Sequence, residues 1–206
     1  MRQVAILLFN EIEVLDFAGP FEVFGVAGRQ SGQTRFSEPP FQVFTVAERG
    51  PVYARNGLSI NPTYLLNDHP KPDVLLIPGG GSYLSDGTPA GSRREMDNPA
   101  VVSWVRRHAP SAELVLSVCT GSLILGKAGL LDGLSATTHK GAVQSMRDLF
   151  PTVTMQAEQR WVDNGKVITS AGISAGIDMS LYVVGKLLGE DVARETASYM
   201  QYDHWK

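Results

Sequence analysis

One side chain in this 206-residue chain carries a thiol, Cys119. It stands in Ser117-Val118-Cys119-Thr120-Gly121, with a small residue two positions away on either side. That spacing suits a sharp strand-to-helix turn, a nucleophile elbow, where bulky neighbours would collide with a strained backbone. The turn also places sulfur near a helix N-terminus, whose partial positive charge favours thiolate. A free thiol of pKa ~8.5 is only a few per cent ionised at neutral pH, and lowering it by two units takes roughly 2.7 kcal/mol. The chemistry expected of Cys119 is nucleophilic attack by sulfur. The competing reading is a buried structural cysteine, a common fate of free thiols. The small-x-Cys-x-small context favours the nucleophile.

Two further features fall where strands are expected to end. Gly79, Gly80 and Gly81 follow Asp73-Val74-Leu75-Leu76-Ile77. They are either a flexible turn or a source of backbone N–H groups, with Gly80 the expected donor toward developing negative charge. Asp16 lies between Leu15 and Phe17, so burial should raise its pKa and suit it to proton transfer. The pattern alone reads it more readily as a helix cap before Gly19-Pro20. His139 closes Ala136-Thr137-Thr138-His139, and a lone histidine is more often structural. His69, His108, His139 and His204 show no metal-ligand spacing, so no metal is expected. Pro78-Gly79-Gly80-Gly81-Ser82 lacks the lysine of a phosphate loop, so no nucleotide cofactor is expected either.

The elements that must position these groups follow from apolar patterning. Gln3 to Phe9, Asp73 to Ile77 and Glu113 to Val118 are continuous apolar runs, the signature of strands covered on both faces. Phe41 to Ala47 reads as a fourth strand. Asn56-Gly57 and Asp163-Asn164-Gly165 signal hairpins within Val52 to Ile60 and Arg160 to Ser170. Ser135 to His139 reads as a short strand. Helices are expected from Gly19-Pro20 onward, over Asn98 to His108 with Asn98 as cap, over Thr120 to Leu131 and over Gly141 to Phe150. Two more are expected over Ser174 to Leu188, with Ser174 as cap, and over about Asp191 to Tyr202. Ser82 to Asp97 is polar and reads as a surface loop or irregular helix. Strands alternating with helices predict an α/β fold with a mainly parallel, twisted sheet and helices on both faces. Such sheets bind ligands beyond the carboxyl ends of their strands.

Composition narrows the function classes. Hydrophobic residues make up 43% and the formal net charge is −3. The pairs Arg93-Arg94 and Arg106-Arg107 are too small for a nucleic-acid footprint and read as solvated helix surface. No apolar run reaches the ~20 residues of a membrane helix, and no leader pattern is present, so a cytoplasmic protein is expected.

Taken together, LDFAGPFEVF, LLIPGGG, SVCTGSLILGKAGLLDG, ATTH and TSAGISAGIDMSLYVV resemble the ThiJ/PfpI family of the class I glutamine amidotransferase-like superfamily. The likeness runs over nearly the whole chain, in the expected order. It implies a single flavodoxin-like domain over residues 1–206, a homodimer, a small-molecule substrate and no cofactor, with neither nucleic acid nor membrane as partner. The match is closest to the isonitrile hydratase branch and to the sensor-like domains of some AraC-type regulators. The activity implied is hydration of an isonitrile to an N-substituted formamide through a cysteine thioimidate. Beside it stand a glyoxalase- or deglycase-like reaction on reactive carbonyls and a non-enzymatic redox or ligand sensor. The protease-like branch has His after the nucleophile and Glu in place of Asp16, so Thr120 and Asp16 argue against peptidase activity. The resemblance raises Asp16 from cap to proton partner of Cys119. It adds Thr120 and the Gly80 backbone as groups that hold developing charge. Gly79, Gly81, His139, Gly172 and Ile173 become the implied pocket. Two departures stand out: Lys140 follows His139 where that branch has an aromatic residue, and Ser82 to Asp97 is longer than in the family, as a lid or dimer contact would be.

Overall fold

A computed structural model of the chain describes residues 1–29 and 38–203; His204 lies outside the described residues. The apolar runs form strands because only a sheet covered on both faces buries every side chain of such a run. The strands are β1 (Arg2–Leu8), β2 (Phe41–Ala47), β3 (Val52–Tyr53), β4 (Ser59–Ile60), β5 (Tyr64–Leu65), β6 (Val74–Ile77), β7 (Leu114–Val118), β8 (Ser135–Ala136), β9 (Thr154–Met155), β10 (Trp161–Asp163) and β11 (Val167–Ser170). The helices are α1 (Val14–Val26), α2 (Ser92–Glu95), α3 (Pro99–His108), α4 (Gly121–Lys127), α5 (Val143–Leu149), α6 (Ala175–Leu188) and α7 (Glu190–Tyr199).

Seven strands make one sheet in the order β10-β11-β7-β6-β1-β2-β5. All neighbours in it are parallel except β10 and β11, the hairpin signalled by Asp163-Asn164-Gly165. Every residue of β6, β7 and β11 is buried, as are the last five of β1. Burying each large aliphatic side chain stabilises the fold by about 1.5–3 kcal/mol, so these central strands hold the core.

The order of the strands fixes where the helices go. From β1 the chain crosses through α1 to β2, one way along the sheet. From β6 it crosses through α2 and α3 to β7, the other way. Parallel crossovers are right-handed, so opposite directions place α1 and α3 on opposite faces. The packing agrees: α1, α6 and α7 pack together, while α4 packs with α2 and α3. The crevice where the direction reverses lies between the carboxyl ends of β1 and β6. This is the switch point at which open α/β sheets place their sites.

Several elements differ from expectation. Helix α1 starts at Val14, so Gly19 and Pro20 sit inside it rather than opening it. The missing Cβ of Gly19 is what lets α6 close on α1, since a Cβ there would lie 2.8 Å from Ile177 Cγ1. Helix α4 stops at Lys127 because Gly129 turns left-handed (φ +77°) and Leu130 N–H donates back to the Leu125 carbonyl at 3.0 Å, while Arg106 donates to the carbonyls of Lys127 (2.8 Å) and Ala128 (3.1 Å). Arg106 is exposed helix surface as expected, and its guanidinium also caps the end of α4. The strand expected over Ser135 to His139 is only two residues long. Ser174 precedes α6, but its hydroxyl does not cap it. Asn98 caps α3 as expected, accepting from Ala100 N–H at 3.0 Å.

The segment from Ser82 to Asp97 is two structures. Residues 82–90 form a small loop, exposed except for the buried Ala90, whose N–H closes it by donating to the Ser82 carbonyl at 3.1 Å. Its ends are pinched together: a Cβ on Gly81 would lie 2.3 Å from the Ala90 carbonyl oxygen, and one on Gly91 2.4 Å from that of Gly80. Helix α2 follows and turns Ser92 into the interior.

Candidate active site

Cys119 occupies the turn between β7 and α4 with φ +57°. That left-handed conformation costs a residue with a side chain about 1–2 kcal/mol. Four hydrogen bonds hold it there. Its N–H is shared between the carbonyls of Ser170 (3.1 Å) and Ala171 (3.2 Å). Its carbonyl accepts from Thr138 Oγ1 (2.9 Å) and Ser122 Oγ (3.3 Å). Glycines make the surrounding space. A Cβ on Gly121 would lie 2.0 Å from the Ile77 carbonyl oxygen, and one on Gly172 would lie 2.9 Å from Cys119 Sγ and 2.5 Å from His139 Cδ2.

Asp16 sits in the first turn of α1, fully buried, and is no cap for a helix starting at Gly19-Pro20. Its Oδ2 accepts from Gly79 N–H at 3.0 Å. Its carboxyl interacts with the Cys119 side chain, while Oδ1 is left without a well-formed hydrogen bond. Loss of water raises its pKa to about 7, although the Gly79 N–H and the Cys119 thiol both favour the carboxylate. The thiol is pushed well above its ordinary range, first by burial and then by the charge of Asp16. The Thr120 N–H and hydroxyl pull the other way without prevailing. This corrects the expectation of a thiolate freed by the helix terminus: a one-turn approach to the seven-residue α4 does not offset burial beside a carboxylate. The two groups instead titrate as a pair that passes from two protons to one around neutral pH.

Thr120 is the hub beneath the sulfur. Gly80 N–H, expected to face substrate, donates instead to Thr120 Oγ1 at 3.0 Å. The cause is the tight pairing of Gly80 with Ile12: a Cβ on Gly80 would lie 2.2 Å from Glu13 N, and its φ is +126°. Gly80 thus reaches the sulfur only through the Thr120 hydroxyl. Ser92, buried and not foreseen from the sequence, lies 2.7 Å from Thr120 Oγ1 and 3.0 Å from the Gly80 carbonyl. Ser92 has one proton for two acceptors. When it goes to Thr120, the Thr120 hydroxyl already accepts twice and its own proton is free to donate to Cys119 sulfur. A serine in a polar stretch gives no sequence signal for this role.

Above the sulfur opens a cavity of about 230 Å³, lined among others by Gly80, Gly81, Cys119, Thr120, His139 and Ile173. Gly79 and Gly172 pack around the cysteine instead of lining it. His139 Nδ1 accepts from Gly141 N–H at 3.1 Å, which leaves Nε2 to carry the proton of the neutral ring. Lys140 is exposed and does not line the cavity. Glu13, Arg55 and Arg93 do, and none was foreseen. A larger cavity of about 460 Å³ lies beside Glu48, Arg49 and Asn98, but it holds no nucleophile. Among the described residues, no cluster of three His, Cys, Asp or Glu side chains could hold a metal ion. No helix among them is long and apolar enough to cross a membrane.

The model of the DJ-1/PfpI family matches residues 2–186. The chain belongs to the DJ-1/PfpI family. It is 36% identical over 202 residues to isonitrile hydratase of Pseudomonas putida, covering 97% of this chain and 78% of that protein. It is 34% identical over 147 residues to the HTH-type transcriptional regulator CdhR of Pseudomonas aeruginosa, covering 71% of this chain and 40% of the regulator. The structure superposes on a ThiJ/PfpI family protein from Pseudomonas syringae with a TM-score of 0.82 and 30% identity, over 98% of this chain and 75% of that one. Drosophila melanogaster DJ-1beta shares the fold, with a TM-score of 0.75 at 21% identity over 97% of each chain.

Proposed function

We propose that this DJ-1/PfpI family member is a cysteine-dependent hydratase that converts a small isonitrile into an N-substituted formamide. The observation that carries this reading is the contact between the buried Cys119 and Asp16 side chains, a nucleophile beside a proton carrier. An isonitrile carbon needs both a nucleophile and a proton on the same atom, and this pair delivers both. The Asp16 carboxylate takes the thiol proton as Cys119 sulfur bonds to the terminal carbon, and hands that proton to the same carbon, giving R–N=CH–S–Cys119. Asp16, now a carboxylate, takes a proton from water as the hydroxide adds to the thioimidate carbon. That proton passes to nitrogen. The tetrahedral R–NH–CH(OH)–S–Cys119 then loses its C–S bond, its hydroxyl proton returns to the pair, and R–NH–CHO leaves. The Thr120 N–H and hydroxyl stabilise sulfur whenever it carries charge, and Gly80 and Ser92 hold Thr120 in place. The 36% identity to an isonitrile hydratase supports the same reading.

The test is formamide production followed by mass spectrometry with several small isonitriles. The wild type is expected to turn over, and Cys119→Ala to lose about 10³-fold or more. Absence of formamide from every isonitrile with folded wild-type protein would overturn the proposal.

A further inference from the structure

We infer that the Cys119 cavity selects substrates that carry an anionic group, foremost a carboxylate, and that Arg93 binds it. The inference rests on this cavity being the reacting site. Arg93 lines it together with Cys119 and Thr120. Its guanidinium lies over the Tyr83 ring, 5.5 Å from the centroid. Among the described residues no carboxylate lies within ion-pair distance of Arg93, whereas its neighbour Arg94 binds Glu11 at 2.7 Å and also Glu95. The other cavity arginine, Arg55, faces Glu13 at 3.6 Å, the only acid in the lining among the described residues. One cation on the rim is therefore left over.

The chemistry proposed for Cys119 and Asp16 does not use that cation, because an isonitrile carbon is attacked and protonated by the pair itself. An arginine held by one face on an aromatic ring keeps its N–H fork free, and that fork matches a carboxylate with two parallel hydrogen bonds. Tyr83 and Arg93 both lie in the polar stretch from Ser82 to Asp97. A cavity of about 230 Å³ limits the ligand to a small molecule.

The experiment compares two alkylating reagents of equal size and leaving group, iodoacetate and iodoacetamide, on the intact protein. Cys119 is the only thiol, so intact mass reads the reaction. The measured quantity is the ratio of the anionic to the neutral rate, which cancels differences in thiol reactivity between variants. Arg93→Gln is expected to lower the ratio about tenfold, the scale of a hydrogen bond to a charged group. Arg93→Lys, which keeps the charge and loses the fork, is expected to recover part of it. An equal ratio in wild type and Arg93→Gln overturns the inference. Hydration is scored separately with isocyanoacetate and its methyl ester. If neither yields formamide while the alkylation ratio falls, the hydratase reading is wrong and the anion site stands. If both are hydrated and the ester is preferred, the anion site is wrong and the hydratase reading stands.

Discussion

A thiol and a carboxyl that share one proton have a pH signature. Asp16 titrates at about 7 and the Cys119 thiol far above it. Below pH 7 the pair carries two protons and sulfur is a neutral thiol beside a neutral acid. Above pH 7 one proton remains, the state the reaction needs. With a neutral isonitrile, kcat/KM is therefore expected to rise through about pH 7 and level off toward alkaline pH. In Asp16→Asn that limb should vanish, together with most of the activity. A profile that keeps its midpoint near 7 in the variant would assign the titration elsewhere. The sequence made Cys119 legible because small residues at fixed spacing leave few other purposes. It did not show that Asp16 touches Cys119, since the contact joins the first turn of α1 to the end of β7, far apart in the chain. It showed nothing of Ser92, whose role depends on a single turn of helix facing it inward. The free thiolate was misjudged because a helix-terminus argument counts dipoles and leaves out burial.

At the level of elements, the elbow depends on how closely α4 follows β7 over the end of β6. Gly121 is the residue that allows it, and the atom a side chain would strike is backbone, the Ile77 carbonyl. Backbone in a central strand cannot move aside as a flexible side chain can. Gly121→Ala is expected to destabilise by about 3 kcal/mol or more, above the usual range for overpacking. For a chain of this length that is a fall in Tm of roughly 6–12 °C. A thermal melt by circular dichroism checks it, and an unchanged Tm would mean the elbow relaxes. The buried strands and both hairpins were legible because continuous apolar runs and Asn-Gly turns have few alternatives. The start of α1 was not. Gly19-Pro20 is a breaker in isolation, but in the fold Gly19 is needed for contact with Ile177, and packing outweighs local preference.

For the molecule as a whole, Asp16 trades stability for chemistry. Its carboxyl pKa is about 7 in the folded protein against 3.8 as a model value. The folded state therefore holds this proton more tightly, and the contribution of Asp16 to stability is greatest at low pH and falls as pH rises from about 4 to about 7. Ionising the buried group costs at most about 4 kcal/mol, from three pKa units at about 1.4 kcal/mol each. That is a large share of a typical net stability of about 5–15 kcal/mol. Asp16→Asn is expected to raise the urea midpoint at pH 8 and to lose most of that advantage by pH 4. An Asn variant less stable than wild type at pH 8 would show that the carboxylate is better solvated than its burial implies. The overall architecture was legible because alternating strands and helices admit few topologies. The switch point was not, because strand order leaves no mark in a single sequence.

The pinched base between Gly81 and Gly91 has an evolutionary consequence. The loop it encloses leaves and re-enters the fold at nearly one point, so its length is uncoupled from the strands that hold the nucleophile. Loop closure grows only slowly in cost with added residues. Residues 82–90 can thus be lengthened, trimmed or exchanged between homologues as a cassette. Variation confined to that cassette, which carries the Tyr83 ring beneath the Arg93 guanidinium, would diversify the diet of such a protein while the proton-sharing pair stays fixed.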